Sequence, residues 1–167
     1  LNTLLQFDAH VPEEYRNAQF VFLANTDPFL QLKVIEQLKN PAFIVMDTMN
    51  FWIQTKKEDL LKVIAKVDVL LLNDSEARML FNTVNLQQAA RQALQLGPQY
   101  VIIKKGEHGA LLFSNGKHFN APGYPLEVIK DPTGCGDCFA GGFIGYLAKH
   151  GTIDERALRR AIVYGSV

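Results

Sequence analysis

Four short apolar runs alternate along the chain with amphipathic stretches, and this alternation constrains the fold more than any other feature. Continuous apolar or β-branched runs are typical of buried parallel strands, and they cover Phe20 to Ala24, Phe43 to Asp47, Val69 to Asn73 and Tyr100 to Lys104. The spacing between them predicts helices over Pro28 to Lys39, Lys57 to Ala65, Ser75 to Asn82 and Leu86 to Leu96. We expect Asp74 or Ser75 to cap the third helix. Right-handed β-α-β crossovers then predict a parallel sheet with helices on both faces.

The alternation of apolar runs with amphipathic stretches ends after Gly106. The segments Gly109 to Ser114 and Lys117 to Asn120 surround Asn115-Gly116, a dipeptide that favours a β-hairpin. Two predicted helices follow, over Gly136 to Lys149 and from Ile153 onward. Since no repeat or Gly/Ser linker divides residues 1–167, we predict a single α/β domain with three layers.

Charge and hydropathy exclude two classes of partner. The chain has 167 residues, with 17 basic and 17 acidic side chains and no basic tract, so a nucleic-acid partner is not expected. Its longest apolar runs fall far short of the roughly 20 residues that cross a bilayer, so no membrane partner is expected either. No charged and then apolar leader opens the chain, which predicts a cytoplasmic location.

Polar residues follow each predicted strand. In an open α/β sheet the carboxyl ends of parallel strands share one edge, where ligands bind. We therefore expect one site there, containing Asn25-Thr26-Asp27, Asp47, Asn73-Asp74 with Glu76, Lys104-Lys105-Gly106 and the loop at Gly134.

The segment from Asp131 to Phe143 reads DPTGCGDCFAGGF and carries the strongest functional signal. Gly134, Cys135 and Gly136 stand at a predicted helix start, where backbone N–H groups lack intrahelical partners and attract anions. Glycines let a polyphosphate approach those groups closely. Asp137 follows at once, beside the expected anion, where a hydroxyl could give it a proton. The segment predicts a phosphoryl-transfer site.

This segment resembles the signature of the PfkB, or ribokinase-like, family of sugar and nucleoside kinases, usually written D-T-x-G-A-G-D-x-F-x-G-G. The departures are Pro132 and Cys135, and neither removes a chemical function. The resemblance extends over roughly 20–167 and implies an ATP-dependent and Mg²⁺-dependent transfer to a sugar or nucleoside hydroxyl. It implies that Asp137 is the catalytic base, while the amides at Gly134, Cys135 and Gly136 stabilise the transferring phosphoryl group.

Two further segments are similar to family motifs. Asn73-Asp74-Ser75-Glu76 reproduces N-x-x-E, which implies that Asn73 and Glu76 place Mg²⁺ and the nucleotide phosphates, Glu76 partly through water. A capping arrangement at a helix start is the alternative interpretation of this pair. Lys104 to Gly109 resembles K-x-G-x-x-G, which implies that Gly106 and Gly109 lie against the nucleotide and that Lys104 or Lys105 meets a phosphate. A solvated lysine is the equal alternative for either side chain.

Asp131 and Thr133 match positions at which some family members hold a monovalent cation such as K⁺. A turn-forming Asp is the alternative for Asp131.

Asp47 with Asn50 resembles a polar pair of the family without a secure alignment. Trp52 nearby could stack on a ligand or cover the sheet edge, and we expect it to cover the edge.

Three other functions stay open at this point. A vitamin-type kinase, acting on pyridoxal or hydroxymethylpyrimidine, shares the G-x-G-D loop, although the N-D-S-E segment favours the sugar branch. A nucleotide-binding module without turnover needs only the glycines, whereas chemistry needs Asp137. The Cys135-x-x-Cys138 spacing is also a redox arrangement, but a Pro-Thr-Gly loop precedes it in place of a strand.

Two expected parts of the family are not visible in this sequence. The resemblance implies an N-terminal substrate-binding segment with a lid that often mediates a homodimer, and a last helical region that completes the adenine pocket. We therefore expect the chain to be the nucleotide-binding and catalytic portion of a longer kinase.

Overall fold

The computed structural model describes residues 7–128, 131 and 133–166 of the chain. Within them, six strands form one sheet in the order β1-β2-β3-β4-β5-β6, with β1 to β4 parallel and β5 and β6 antiparallel to their neighbours. The strands are β1 Phe20–Leu23, β2 Phe43–Met46, β3 Val69–Asn73, β4 Tyr100–Lys104, β5 Ala110–Ser114 and β6 Lys117–Ala121. The predicted strands and hairpin are confirmed.

Seven α-helices accompany this sheet in the described residues. They are α1 Pro28–Gln37, α2 Asn50–Thr55, α3 Lys57–Ile64, α4 Asp74–Phe81, α5 Leu86–Leu94, α6 Cys135–His150 and α7 Glu155–Gly165. Short 3₁₀ turns lie at Glu13–Tyr15 and Gly106–His108. Helix α2 was not predicted, because six residues are too few to show a helical period.

The helices lie in two layers, one on each face of the sheet. Alternate strand residues such as Met46, Leu72 and Ile103 pack against α1 to α5, whereas Val45, Leu71 and Ile102 pack against α6 and α7. The strands follow one another without reversal, and right-handed crossovers in that order keep every connecting helix on the same face. The opposite face is covered only when the chain returns after the hairpin.

Helix α6 packs closely on α7 through two glycines. A Cβ on Gly142 would lie 3.0 Å from the Cα of Gly165, and a Cβ on Gly165 would lie 2.7 Å from the carbonyl oxygen of Phe139. Packing of the helices therefore accounts for Gly142, the last glycine of the signature segment, without a ligand.

Trp52 of α2 lies beside the segment that follows β1. It is buried, and its indole N–H donates to Asn25 Oδ1 at 3.1 Å. The expectation that Trp52 covers the sheet edge stays a prediction. None of the described helices is long and apolar enough to cross a membrane.

Candidate functional site

The carboxyl ends of β2 and β4 direct two opposite charges toward α6. Val45 and Ile102 face α6 and α7, so Asp47 and Lys104, each two residues further along, have the same orientation. Their side chains meet over the end of β3, with Lys104 Nζ 2.8 Å from Asp47 Oδ2. Asp47 was anticipated as a polar residue at this edge and as the partner of Asn50 in a polar pair, and its ion pair with Lys104 was missed. Side chains alternate between the two faces of a sheet, and counting along β2 and β4 would have placed Asp47 and Lys104 on the same face.

The N-terminus of α6 is open. Gly134 is its N-cap with a φ of +79°, a left-handed value that favours glycine, and no side-chain cap is formed. The first intrahelical bond runs from Cys138 N to Gly134 O at 2.9 Å. The amides of Cys135, Gly136 and Asp137 therefore precede the helical ladder and can donate to an anion.

Asp137 stands at the third position of α6 and is exposed. Burial raises the pKa of Asp47 above its ordinary value, the Lys104 ammonium opposes this, and the negative charge of Asp137 adds to it. Asp137 directly follows Gly136, which lies against the Lys104 side chain that pairs with Asp47, so the two carboxyl groups lie at the same edge. The predicted base, the amide cluster and the Asp47–Lys104 pair thus share the carboxyl edge of the sheet.

Gly136 lies directly against the Lys104 side chain. A Cβ at position 136 would be 3.3 Å from Lys104 Nζ, tighter than an ordinary contact. The ammonium group is thereby close to the first turn of α6, where the helix dipole already favours negative charge. The structure pairs Lys104 with Asp47, and the phosphate contact expected for Lys104 stays a prediction.

Helix α4 begins at the same edge with a closed terminus. Asn73 Oδ1 accepts from Glu76 N at 2.8 Å, and Glu76 Oε2 accepts from Asn73 N at 2.7 Å, which completes a capping box. The prediction that Asp74 or Ser75 caps this helix was wrong, because the cap side chain must stand one residue before the first helical turn. The N-x-x-E segment therefore forms the helix cap that was its alternative interpretation.

Glu76 is an unusual capping residue because it is only 6% exposed. Burial raises the pKa of Glu76 from 4.5 to about 6, the N–H of Asn73 opposes the change, and the Asp47 charge adds to it. A cation placed beside this carboxylate would offset that cost.

The oxygen donors at this edge suit Mg²⁺. The described residues contain no cluster of three or more His, Cys, Asp or Glu side chains that could enclose a metal ion. Mg²⁺ typically uses one or two carboxylates with waters and substrate phosphates, and a buried carboxylate whose pKa is raised fits that chemistry. The metal role of Glu76, like that of Asn73, stays a prediction.

The segment that follows β4 folds on itself. Lys105 N donates to Gly109 O at 2.7 Å around the turn Gly106–His108. A Cβ on Gly109 would lie 2.0 Å from Ala121 O, whereas one on Gly106 would meet nothing within 4 Å. The fold itself requires the glycine at 109, and only Gly106 leaves open space for a ligand. Nucleotide contacts of Lys105, Gly106 and Gly109 stay predictions.

The loop before α6 is described in part. Thr133 N donates to Asp131 Oδ1 at 2.8 Å, and this bond lowers the pKa of the exposed Asp131 carboxyl. That bond is the turn anticipated as the alternative for Asp131, while a monovalent cation at Asp131 and Thr133 stays a prediction. The departure at Pro132 lies outside the described residues.

Both cysteines are exposed free thiols at the start of α6. Both lie in the first turn of α6, beside the amides that precede the helical ladder. Strand β6 ends at Ala121, and the described residues between it and Cys135 contain no strand that leads directly into the pair, in contrast to the redox arrangement considered above.

Comparison with known proteins identifies the family. The family model for pfkB family carbohydrate kinases matches residues 5–167. The chain belongs to the PfkB family of carbohydrate kinases. The family resemblance of the signature segment is thereby confirmed.

Two curated relatives of this PfkB chain are archaeal kinases. A cytidine kinase from Thermococcus kodakarensis is 32% identical over 149 residues, which cover 87% of this chain and 53% of the relative. A nucleoside kinase from Methanocaldococcus jannaschii is 26% identical over 133 residues, or 80% of this chain and 43% of the relative. The chain therefore spans about half the length of these relatives.

Solved structures confirm the ribokinase-like fold. A protein described as ribokinase II from E. coli, in complex with ATP and Mg²⁺, aligns with a TM-score of 0.76 at 26% identity over 94% of this chain and 54% of that chain. Aminoimidazole riboside kinase from Salmonella enterica, complexed with aminoimidazole riboside and an ATP analogue, aligns with a TM-score of 0.76 at 21% identity over 95% and 59%. At that lower identity the second likeness bears on the fold alone.

Proposed function

We propose that this chain is the nucleotide-binding and catalytic portion of a kinase that transfers the γ-phosphoryl group of ATP to a hydroxyl of a sugar or nucleoside. The observation that carries this proposal is the open N-terminus of α6, where three amides that precede the helical ladder and Asp137 stand beside the partly buried ammonium group of Lys104. Membership of the PfkB family and the likeness to a kinase solved with ATP and Mg²⁺ support it.

Each residue has a separate task in the proposed reaction. The amides of Cys135, Gly136 and Asp137 hold the oxygens of the transferring group, so that negative charge is stabilised as transfer proceeds. The Asp137 carboxylate orients the acceptor hydroxyl and takes its proton late. The bond from the acceptor oxygen to the γ-phosphorus forms, the bond from that phosphorus to the bridging oxygen breaks, and ADP leaves.

Mg²⁺ would be held at the edge by the Glu76 carboxylate, partly through water, with Asn73 fixing the backbone beside it. When bound, Mg²⁺ neutralises charge on the nucleotide phosphates. A monovalent cation such as K⁺ at Asp131 and Thr133 belongs to the same proposal.

The proposed acceptor is a small molecule, and nucleosides come first because two relatives are named cytidine kinase and nucleoside kinase. We also propose a cytoplasmic location, since exposed free thiols are typical of a reducing compartment. A homodimer through a family-type lid is part of this proposal as well.

The decisive experiment measures Mg·ATP-dependent phosphoryl transfer by the full-length gene product over a panel of nucleosides, sugars and sugar phosphates, beginning with cytidine. Transfer to one class of acceptor, lost in Asp137→Asn while Mg·ATP still binds, is the expected result. Wild-type protein that binds ATP and transfers to nothing would favour a binding module without turnover. Transfer to pyridoxal or hydroxymethylpyrimidine alone would favour the vitamin-type kinase.

A further inference from the structure

The Asp47–Lys104 ion pair is largely withdrawn from solvent at the carboxyl edge of the sheet. The Asp47 side chain is 6% exposed and the Lys104 side chain 16%, and their attraction must offset the loss of hydration of both charges. Apolar residues of similar volume often serve a core equally well. A buried pair at the end of the central strands therefore calls for a second role.

Asp47 is held firmly from several directions. Its Oδ1 accepts from Thr48 N at 2.9 Å, and its own backbone N–H donates to Leu23 O at 3.0 Å. Its carbonyl oxygen accepts from Gln31 Nε2 at 3.2 Å, and Gln31 is itself buried. The carboxylate therefore has a fixed position, and so does any group bound to its other oxygen.

The group on that oxygen is the Lys104 ammonium, which lies against Gly136. Because a Cβ at 136 would stand 3.3 Å from Nζ, the ammonium is adjacent to the second amide of the open helix terminus. A lysine has four rotatable side-chain bonds, so without a partner its charge would be distributed over many positions.

We propose that Asp47 is a positioning residue, which acts through Lys104 by fixing the ammonium beside Gly136 so that its charge reaches a phosphoryl group held at the α6 terminus. This inference rests on the proposed function. It adds a role for Asp47, which touches neither nucleotide nor acceptor, and it gives Gly136 a second reason to lack a side chain.

A double-mutant cycle on the full-length gene product tests it with Asp47→Asn, Lys104→Met and the double variant. Met keeps the apolar stem of the lysine and removes the charge. Three quantities are measured for each protein: the free energy of unfolding in denaturant, the affinity for Mg·ATP by calorimetry, and kcat and KM in phosphoryl transfer.

Lys104→Met should be destabilised, because it leaves the Asp47 carboxyl buried without its cation. Adding Asp47→Asn should restore stability, since the amide needs no counter-charge. In the double variant, however, kcat should stay lowered by about 10²-fold and Mg·ATP affinity should stay reduced, because the charge is still missing. Asp47→Asn alone should lower kcat by about 10-fold, because the ammonium is present but no longer held.

Recovery of kcat and Mg·ATP affinity together with stability in the double variant would overturn the proposal and leave the pair a structural contact. That outcome would leave the kinase function intact. Wild-type protein that binds Mg·ATP but transfers nothing would remove the kinase function, and the affinities of the four proteins would still decide the role of Asp47. Wild-type protein that does not bind Mg·ATP would overturn both.

Discussion

Helices α4 and α6 begin at the same edge of the sheet, and each has an acidic residue at its third position, Glu76 in α4 and Asp137 in α6. In α4 the acid folds back onto the N-cap backbone, and the N-cap side chain of Asn73 closes the terminus. In α6 the N-cap is Gly134, no side-chain cap is formed, and the acid is exposed.

The two termini differ in how their N–H donors are used. A side-chain cap contributes about 1 kcal/mol to stability, and α6 does without that contribution. What α6 keeps is a set of N–H donors and a carboxylate in contact with solvent. Two helix starts with the same acidic position thus differ in accessibility, and the residue at the N-cap decides whether a side chain closes the terminus.

The largest expected effect comes from the exposed acid of the open terminus. Asp137→Asn should lower kcat by about 10²–10⁴-fold, because it removes the group proposed to accept the proton of the acceptor hydroxyl. Its unfolding free energy should change by no more than about 0.5 kcal/mol, since the site is exposed. Glu58→Gln, which neutralises an exposed acid in the first turn of α3, is the control and should keep kcat. Equal losses of kcat in both variants would contradict the role proposed for Asp137.

The unfolding free energy should depend on pH through Glu76, the buried acid at the closed terminus of α4. The folded pKa of Glu76 is about 6 against an ordinary 4.5, so the folded state binds this proton more tightly than the unfolded state. Stability from this group is fully present below about pH 4.5 and is lost as pH rises through about 6, a change of about 2 kcal/mol. The Glu76→Gln variant has no titrating group at this position, so its unfolding free energy should not fall in this way as pH rises. Denaturant unfolding in EDTA from pH 4.5 to 7.5 measures the unfolding free energy of the wild type and of Glu76→Gln. The same dependence on pH in both proteins would disprove the expectation.

The glycine that opens α6 should matter for both folding and binding. Gly134 and Gly151, at opposite ends of α6, have φ values of +79° and +64°, and a Cβ at either would meet nothing within 4 Å. Replacement of each by Ala should therefore cost a similar 1–2 kcal/mol or so of unfolding free energy from left-handed strain. Only Gly134→Ala should also weaken Mg·ATP binding, measured by calorimetry. Loss of binding in Gly151→Ala would show that helix stability, and not the geometry of the terminus, controls affinity.

The smallest expected effect is the loss of the closing cap. Asn73→Ala should lower the unfolding free energy by about 1 kcal/mol, because Glu76 N loses its acceptor. Asn85→Ala removes the simple cap of α5, which accepts from Gln87 N and Gln88 N, and should cost about as much. If Asn73 also helps to place the metal, only Asn73→Ala should raise the Mg²⁺ concentration needed for half-maximal transfer. An unchanged Mg²⁺ dependence would leave Asn73 with its capping role alone.

Local patterns were sufficient to predict most elements of the fold. The strands β3 and β4 have the predicted bounds, and the hairpin around Asn115-Gly116 was predicted from its turn residues, because these signals depend on neighbouring residues only. The predicted helices α1, α3 and α5 ran one or two residues too long, because side-chain periodicity does not report where the backbone leaves the helix.

Several glycines show where prediction from the sequence stops. Gly134 and Gly136 were assigned to an anion site from their order in the chain, and the structure places them at an open helix start. Gly109 and Gly142 look equivalent in the sequence, but they are required by close contact with Ala121 and Gly165. Those contacts join segments distant along the chain, so no local pattern could report them.

The sequence by itself determined the strands, the hairpin and, through the signature segment at 131–143, the family, because these depend on residue types at fixed spacing. Only the tertiary structure decided that the connecting helices share one face, that Asn73 closes α4, and that Asp47 pairs with Lys104 beside Gly136. Each of these depends on the packing of strands and helices that are separated along the chain. Because the strength of a buried charge pair depends on distance and on the exclusion of water, it is defined only once the sheet and α6 have come together.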